Sequence, residues 1–421
     1  MNDFAMLERL AAARDRLRAT GAGSPPPAAP ARRPFHTTTL PGPIDVMVTP
    51  GELNDQHGTG FLVKRVFRGW RSFLSLRVRD DYGGAHDFGD EALLLPLKDA
   101  PRREIYRAAV AAVGDRQVRR VFAVPYTAAD LTLAMAVSDV AAAPLCVWIM
   151  DDQCVAGVQI PRPLMAEVLG RCALRLTTHT ELRDAYEQAF GLPFACLPAV
   201  VPGRLVRGAP TPAPVADARG ALLGSVWSRR WLERLLSTLD AARLELDWYG
   251  NHGAPWLRIG EEELRSGGLH PRGVVAEPEL AERLRGHPFI VVPTGTLAGD
   301  DPEYDALAAL SLPGRILFAA ATAHVPVLIV GSDQTPASAF VARHGLGLTA
   351  PYDGAAFRAA ARELARPERQ VAIRRAAAAL APSLSDDGVG EWLAASISVR
   401  RPVDDRFERL FPRSTAREEA S

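Results

Sequence analysis

Polar and glycine residues gather at points of the sequence where a buried strand is predicted to end. In residues 50–67 (PGELNDQHGTGFLVKRVF), Gly58, Thr59 and Gly60 open a predicted helix directly after His57. Glycine lets a backbone approach a ligand closely, and the free N–H groups at a helix start favour an anion. The loop is therefore a candidate contact for an anionic ligand, although the same glycines would suit a plain tight turn. His57 is a candidate catalytic or orienting group, and a lone loop histidine can equally be polar surface.

A pair of adjacent carboxylates, Asp151 and Asp152, follows the predicted strand at 145–150. A carboxylate held at the end of a buried strand could accept a hydrogen bond from a hydroxyl or stabilise positive charge at a reacting carbon. It could also simply cap the next turn. The two residues are contiguous and no second carboxylate cluster has suitable spacing, so we predict no metal site.

Three arginines stand at the starts of predicted helices in the second half of the chain. Arg229 and Arg230 follow GSVWS, and Arg315 follows SLPG at 311–314. A guanidinium group at a helix start combines its charge and fork geometry with the helix dipole, which suits a pyrophosphate. We therefore expect all three to face one cleft. The alternatives are that Arg229 and Arg230 are solvated surface groups and that Arg315 pairs with the acidic residues at 300–305.

Two further polar residues complete the candidate set. Asn251 follows the predicted strand end WYG, where it could bond a base or a sugar, and Ser311 begins the SLPGR segment. A simple turn explains Asn251 equally well. The four cysteines lie far apart, without a CxxC pair or histidines at ligand spacing, so we expect neither a disulfide framework nor structural zinc.

Short apolar runs that alternate with helix-period segments must position these residues. Runs that are apolar throughout are typical of strands buried on both faces of a parallel sheet, and the intervening segments predict covering helices. The prediction is an α/β protein whose ligand lies at the carboxyl ends of the strands. The first series predicts strands at 44–48, 118–124, 145–150, 173–177 and 194–197, helices at 102–113, 128–141, 162–170 and 179–190, and an extra strand and loop within 73–90. The second predicts strands at 220–223, 244–248, 289–292, 325–330 and 347–349, with helices at 229–241, 277–286, 314–323, 336–344, 354–365 and 387–398.

Composition divides the chain into five parts. Residues 1–42 form an amphipathic arm with a Pro-rich end, which could be dispensable or could dock to a partner or a membrane. A Pro-rich break poor in periodicity predicts an interdomain linker at 201–217. The predicted domains are 43–200 and 218–385. Residues 386–421 add a helix, expected to pack back on the first domain, and a charged tail.

Charge and the N-terminal sequence argue against several classes of protein. Lysine plus arginine equals aspartate plus glutamate, 49 each in 421 residues, so no net charge attracts nucleic acid or an anionic membrane over long range. The start MNDFAMLERL lacks the basic and apolar regions of a signal peptide, and polar residues and Pro144 interrupt the most apolar stretch, 134–150. We predict a cytoplasmic protein without a transmembrane segment, for which peripheral membrane contact stays open.

The ordered set of motifs resembles a known class of enzyme. HGTG, IMDDQ, GSVW with its arginine pair, DWYGN, and LPGRI leading to HVPVLIVGS resemble bacterial glycosyltransferases of the GT-B class, family 4-like members above all, over residues 44–395. The resemblance implies two Rossmann-like domains facing across a cleft, with an acceptor site in the first and a nucleotide-sugar site in the second. It also implies sugar transfer of the hexosyltransferase type with retention of configuration, to a glycan, lipid-linked or small-molecule acceptor, as in polysaccharide biosynthesis. It implies no metal and no other cofactor, because the nucleotide-sugar is a co-substrate.

The resemblance also assigns roles to matching residues. The loop at 58–60 would approach the donor phosphates or the acceptor. Asp151 or Asp152 would stand where such enzymes often place a catalytic histidine or aspartate, and we expect one of them, rather than His57, to lie closest to the transferred sugar. Arg229 or Arg230 would take the part of the basic residue that binds pyrophosphate.

The chain departs from this family in its second half. Such enzymes usually carry two glutamates separated by seven residues just before the strand at 325–330, whereas no acidic residue lies between Ala306 and Ser332 here. Ser225 stands where the usual arginine would be. These differences favour a second hypothesis, a catalytically silent GT-B protein that binds a ligand or a partner enzyme. The clustering of Gly, Asp and Arg at strand ends favours the enzyme.

Overall fold

The structure, a computed structural model, describes residues 42–55, 58–81, 83–212, 219–226, 228–252, 257, 259–299 and 302–413. The predictions for the arm up to residue 41, for His57, for residues 213–217 of the linker and for the tail beyond 413 lie outside the described residues.

The first domain is a parallel sheet of seven strands covered by helices. The strands are β1 (Ile44–Thr49), β2 (Phe73–Arg77), β3 (Glu91–Leu94), β4 (Val118–Ala123), β5 (Leu145–Ile149), β6 (Leu174–Thr177) and β7 (Ala195–Cys196). The helices are α1 (Gly58–Val66), α2 (Arg102–Val113), α3 (Ala128–Ala141), α4 (Arg162–Arg171) and α5 (Thr180–Phe190). The strand order is β3-β2-β1-β4-β5-β6-β7. Every residue of the mostly apolar segment IDVMVT in β1 is buried, because a central parallel strand is covered on both faces.

The second domain repeats this architecture with six parallel strands. These are β8 (Gly220–Leu223), β9 (Leu246–Tyr249), β10 (Leu269–Gly273), β11 (Ile290–Pro293), β12 (Val327–Val330) and β13 (Gly347–Ala350), in the order β10-β9-β8-β11-β12-β13. The helices are α6 (Arg229–Ala242), α7 (Glu261–Ser266), α8 (Glu277–Arg285), α9 (Pro302–Ala309), α10 (Gly314–Thr322), α11 (Pro336–Arg343), α12 (Gly354–Ala365) and α13 (Pro367–Leu380), and a last helix, α14 (Val389–Val399), follows beyond this domain. This order matches the Rossmann order 3-2-1-4-5-6.

Each domain thus has its own sheet, and the predicted pair of Rossmann-like domains is confirmed. The sequence patterns missed β3, β10, α7, α9 and α13. Both missed strands lie at sheet edges and are mostly half-exposed, so they lack the apolar run of a central strand. Helix α7 has the short polar sequence EEELRS, in which periodicity cannot be detected.

The chain crosses between the domains twice, at Val201 and at Ser385, and the two crossings pair as an isolated parallel bridge. After the second crossing, α14 and the following segment return to the first domain. Asp386 forms an ion pair with Arg68 at the end of α1. Farther along, the fully buried guanidinium of Arg183 on α5 binds Glu408 at 2.6 Å. The segment after Ser385 is therefore held against the first domain by ion pairs with Arg68 and Arg183.

Candidate functional site

A cavity of about 1120 Å³ lies between the two domains at the carboxyl ends of their strands. The loops after β1, β4 and β5 line it from the first domain, and the loops after β8, β9 and β10 line it from the second. This placement follows from the parallel topology, because loops at the carboxyl ends of strands converge where the strand order reverses. The cleft is the site to which most of the candidate residues contribute.

Three polar side chains meet on the first-domain wall of the cleft. Tyr126, which follows β4, donates its phenolic hydrogen to Asp151 Oδ2 at 2.5 Å. Its oxygen also lies 2.9 Å from the hydroxyl of Thr59, in the first turn of α1. A tyrosine hydroxyl has one hydrogen, so when it binds Asp151 the Thr59 hydroxyl is the donor to Tyr126. We call Thr59, Tyr126 and Asp151 the first-domain triad.

Asp151 is the ionisable member of this triad. Burial raises the pKa of the Asp151 carboxyl above its ordinary value, and the neighbouring charge of Asp152 raises it further. The hydrogen bond from Tyr126 acts in the opposite direction because it stabilises the ionised form. Asp151 is therefore a cleft carboxyl whose charge depends on its hydrogen-bonding partner.

Asp152 does not line the cavity, which corrects its prediction as a catalytic group. Its side chain is only 6% exposed, and it accepts a hydrogen bond from the hydroxyl of Tyr186 at 2.9 Å. Its two oxygens also accept the backbone N–H groups of the loop after β5, from Cys154, Val155, Ala156 and Gly157, at 2.6–3.0 Å. The Asp152 carboxylate thus caps the loop after β5, which is the structural alternative that the sequence analysis left open.

The two glycines of the predicted ligand loop differ in surroundings. Gly58 lines the cavity, and a Cβ added there would meet no other atom within 4 Å. A Cβ on Gly60 would overlap the backbone carbonyl of Asn54. Gly60 therefore serves the close packing of α1 on the loop before it, and its predicted ligand contact is corrected to a structural role.

Arg315 is the cation of the second-domain wall. Its Nη1 donates to the carbonyl oxygens of Leu223 at 2.6 Å and Ser225 at 2.8 Å. Gly224, with φ +79°, lies against the guanidinium group, and a Cβ there would be 3.1 Å from Nη1. Burial lowers the pKa of Arg315 to about 10, so it is still a cation at neutral pH. The structure therefore supplies a fixed positive charge beside the loop after β8.

No carboxylate of the described residues lies within ion-pair distance of Arg315, although it is desolvated. Asp305, one of the acidic residues expected as a partner, instead accepts the backbone N–H groups of Leu297 and Gly299. A buried cation without a carboxylate partner is costly unless a ligand supplies the anion. Arg315 is thus the best placed anion-binding group of the cleft.

Arg229 and Arg230 do not join Arg315, which corrects the prediction of three guanidinium groups in one cleft. Arg229 forms ion pairs with Glu233 at 2.7 Å and Glu263 at 3.0 Å. Arg230 is exposed, and neither residue lines the cavity. The first turn of α6 points the Arg229 side chain outward, where it pairs with Glu233 four residues farther along the helix.

Asn251, Ser311 and Ser225 all line the second-domain wall of the cavity. Among the described residues of this wall, Glu277 is the one that carries a carboxylate, and it forms an ion pair with Arg65 of the first domain. The missing glutamate pair is therefore not replaced by a free carboxylate in the described part of this wall.

The sequence analysis missed Tyr126, Arg65 and Glu277. Tyr126 follows the end of β4 directly, so the strand-end rule that selected Asp151 would also have selected it. Arg65 and Glu277 lie on helices, and nothing in the sequence shows that α1 and α8 meet across the cleft.

The described ranges contain no group of three or more His, Cys, Asp or Glu residues placed to hold a metal ion. Within the same ranges, no helix has the length and apolar character needed to cross a membrane. The groups that could bind a ligand in the cleft are thus hydrogen-bonding, cationic and apolar side chains.

No family model matches the chain, and no curated protein matches it in sequence. Solved structures match it in fold. Anabaena HepE in complex with UDP and glucose has a TM-score of 0.59 at 13% identity, covering 84% of this chain and 99% of that one. A glycosyltransferase from Rickettsia africae has 0.56 at 10% identity over 85% and 98%, and Os79 from O. sativa in complex with UDP has 0.51 at 14% identity over 84% and 100%. The chain has the GT-B fold, as predicted, and the family 4-like assignment stays a prediction.

Proposed function

We propose that this protein is a glycosyltransferase that moves a sugar from a nucleoside-diphosphate donor to a hydroxyl group of an acceptor. The observation that carries the proposal is that Arg315 and the first-domain triad line opposite walls of one cleft. One wall offers a cation that has no carboxylate partner among the described residues, and the other offers a carboxyl that can ionise. Two fold neighbours, HepE and Os79, have structures in complex with UDP, which supports a nucleotide donor.

Arg315 would bind the donor diphosphate. Its Nη1 is used on the carbonyl oxygens of Leu223 and Ser225, which fixes the guanidinium plane. The remaining N–H donors find no acceptor among the described residues and are available for phosphate oxygens. The positive charge would stabilise the negative charge that builds on the leaving diphosphate, so we propose that transfer needs no metal ion and no other cofactor.

Asp151 would act at the other end of the reacting bond. In the proposed step the acceptor oxygen bonds to the anomeric carbon while the bond from that carbon to the donor phosphate oxygen breaks. With retention of configuration, both bonds lie on one face of the sugar, and the acceptor proton passes to the departing phosphate oxygen. The ionised Asp151 carboxylate would stabilise the positive charge that develops at the anomeric carbon.

The setting of the reaction belongs to the same proposal. A glycan, lipid-linked or small-molecule acceptor would enter from the first-domain wall, as in polysaccharide biosynthesis. The cysteines are all free and buried, which fits a reducing compartment such as the cytoplasm.

A catalytically silent GT-B protein is the second candidate. It is favoured by the second-domain wall, where the described carboxylate, Glu277, is tied to Arg65. Such a protein would bind a nucleotide or a partner without turnover, so binding and turnover must be measured separately.

Binding is tested first, with a thermal-shift panel of UDP, GDP, ADP and dTDP on the full chain. A ligand at 100 times its Kd should stabilise the protein by about 2.7 kcal/mol. Arg315→Ala should weaken the binding of the nucleotide that stabilises the wild type by about 1.5–3 kcal/mol, the usual contribution of a charge-assisted hydrogen bond. Arg229→Ala is the matched control, because its guanidinium is paired outside the cavity and should leave affinity unchanged. Equal effects of the two variants, or no binding nucleotide, would contradict the donor site.

Turnover is tested next, with sugars linked to whichever nucleotide binds. Release of the nucleoside diphosphate in the presence of EDTA supports metal-free transfer, and the anomeric coupling constant of the product reports retention or inversion. Binding without turnover on any donor would favour the silent alternative.

A further inference from the structure

Tyr126 joins three separate elements of the cleft wall through one hydroxyl group. It follows β4, it donates to Asp151 after β5 at 2.5 Å, and it lies 2.9 Å from the Thr59 hydroxyl in α1. The backbone around it is fixed, because the Tyr126 N–H donates to Asp130 Oδ2 at 2.9 Å. Asp130 in turn caps α3 together with Thr127. The tyrosine is thus held from its main chain as well as from its hydroxyl.

The hydrogen positions in this chain follow from the donor inventory. The Tyr126 hydrogen is used on Asp151 and the Thr59 hydrogen is used on Tyr126, so the ordered chain runs from Thr59 through Tyr126 to Asp151. An ionised carboxylate at the end of such a chain has lone pairs but no hydrogen to offer. A ligand group that meets Asp151 must therefore bring its own hydrogen.

We infer that Tyr126 is the positioning residue that keeps Asp151 an ionised, acceptor-only group, so that this end of the cleft selects a neutral hydroxyl or an amine and rejects a carboxylate or phosphate. The inference rests on the proposed function and deepens it, because it gives the chemical class of the substrate group at Asp151. It makes Tyr126 necessary for the charge of Asp151 and not only for its position.

The other charged groups around Asp151 are already engaged. Asp152, next in the chain, is bound by backbone N–H groups and by Tyr186. On the side of β6, Thr178 donates to the carbonyl of Met150 at 3.3 Å, and burial lowers the pKa of the adjacent His179 to about 3, so its ring is neutral. On the side of β1, the carboxylate of Glu52 accepts the backbone N–H groups of Asp81 and Gly84. Tyr126 is therefore the described neighbour that donates a hydrogen bond directly to this carboxylate.

The closing experiment uses the full chain with a readout that needs no substrate. Asp151 is titrated by NMR in protein carrying ¹³C-labelled aspartate, with Asp151→Asn identifying its signal. In Tyr126→Phe the Asp151 signal should titrate at higher pH than in the wild type. Tyr106→Phe is the matched control, because Tyr106 makes the same kind of bond, to Asp139 at 2.6 Å, outside the cleft, and it should leave the Asp151 titration unchanged.

Thr59→Val tests the same series of hydrogen bonds from its other end. It keeps the inference testable if Tyr126→Phe folds poorly. It removes the donor to Tyr126 and should move the Asp151 titration in the same direction by a smaller amount. An Asp151 signal that titrates identically in the wild type, Tyr126→Phe and Thr59→Val would overturn the inference. That outcome would leave the nucleotide-binding test of Arg315 untouched, so the two proposals fail separately.

Where turnover is measurable, the pH–rate profile gives a second readout. Tyr126→Phe should lower kcat roughly 10- to 100-fold, the range expected for a lost hydrogen bond to a charged group, and the loss should be larger at low pH. In the Asp151→Asn background the same change should cost little, because the group that Tyr126 acts on is gone. A loss of equal size at every pH and in both backgrounds would assign Tyr126 a separate structural role and overturn the inference.

Discussion

Two neighbouring aspartates of this cleft show how surroundings, not residue type, decide what a carboxylate can do. Asp152 faces the loop after β5 and accepts hydrogen bonds from four of its backbone N–H groups. Asp151 faces the cavity, and among the described residues Tyr126 is its hydrogen-bond donor. Any chemistry of the pair must therefore belong to Asp151.

The matched pair of asparagine variants tests this division. Asp151→Asn should lower kcat by roughly 10²–10⁴, the span typical of a positioned acid, base or charge, and leave nucleotide affinity and stability nearly unchanged. Asp152→Asn should lower the free energy of unfolding by about 2–4 kcal/mol, because the amide replaces a charged acceptor of several buried hydrogen bonds. Steady-state kinetics and urea unfolding on both variants separate the effects. Near-normal rates in Asp151→Asn would return that residue to a structural role.

At the scale of elements, the start of α1 combines a ligand-facing and a packing-facing glycine within three residues. Gly58 borders the cavity with open space beyond it, whereas Gly60 packs on the backbone of Asn54. The same sequence signal, HGTG, therefore covers two physical requirements that only the three-dimensional contacts distinguish.

Alanine variants at these glycines should behave differently. Gly60→Ala should lower stability by about 1–3 kcal/mol, because its Cβ would overlap the Asn54 carbonyl and α1 would have to shift. Gly58→Ala should fold with nearly wild-type stability and weaken a ligand only if that ligand approaches the backbone at this point. Thermal unfolding with and without the nucleotide that binds measures both effects. A Gly60→Ala protein as stable as Gly58→Ala would contradict the packing role.

The elements were predicted where one physical signal dominated. Helices α2 and α3 were found with the bounds that the structure shows. The apolar residues of α2 follow the helix period, whereas α3 is an apolar segment buried from Ala129 to Val137 and lies between clear breaks. The cleft was predictable for the same reason, since a parallel sheet places its strand ends at one edge.

The identity of the site residues was less predictable than the fold. A helix start with arginine describes α6 and α10 equally well, yet Arg229 turns to Glu233 on the surface while Arg315 turns under the loop after β8. The difference depends on which face of each helix meets the sheet, and that is set by tertiary packing. Likewise, the ion pair between Arg65 and Glu277 depends on how the two domains pack against each other, which the sequence pattern does not show.

At the scale of the whole molecule, the C-terminal segment binds both domains. The carbonyl of Phe411 accepts Arg183 of the first domain at 2.9 Å, while its ring stacks on Phe340 of the second domain at a centroid distance of 5.5 Å. The two crossings at Val201 and Ser385 are also tied by backbone hydrogen bonds. These contacts fix one side of the cleft, so that the two walls face each other in a limited range of positions.

Buried and half-buried histidines in both domains make the stability of the molecule depend on pH. Burial lowers the pKa values of His86, His179, His324 and His344, in His179 to about 3. The unfolded chain, with a histidine pKa of about 6.5, binds these protons before the folded chain does. The stability due to each neutral histidine is therefore complete above about pH 6.5 and is lost as pH falls toward its folded pKa.

We expect His179 to make the free energy of unfolding smaller as pH falls from 7 to 5. His179 alone, fully buried beside Thr178, should account for about 2 kcal/mol at pH 5, since each pH unit below 6.5 costs about 1.4 kcal/mol per neutral histidine. Carboxyls with a raised pKa, such as Asp130, oppose this trend, so the whole-protein slope is not diagnostic by itself. His179→Asn isolates the contribution, because asparagine can still bond Thr178 but cannot take up a proton in this range. Urea unfolding of both proteins at pH 7.5, 6 and 5 should give a shallower pH dependence for the variant. Parallel curves would mean that His179 binds a proton to the same extent in the folded and unfolded states and carries none of the acid sensitivity.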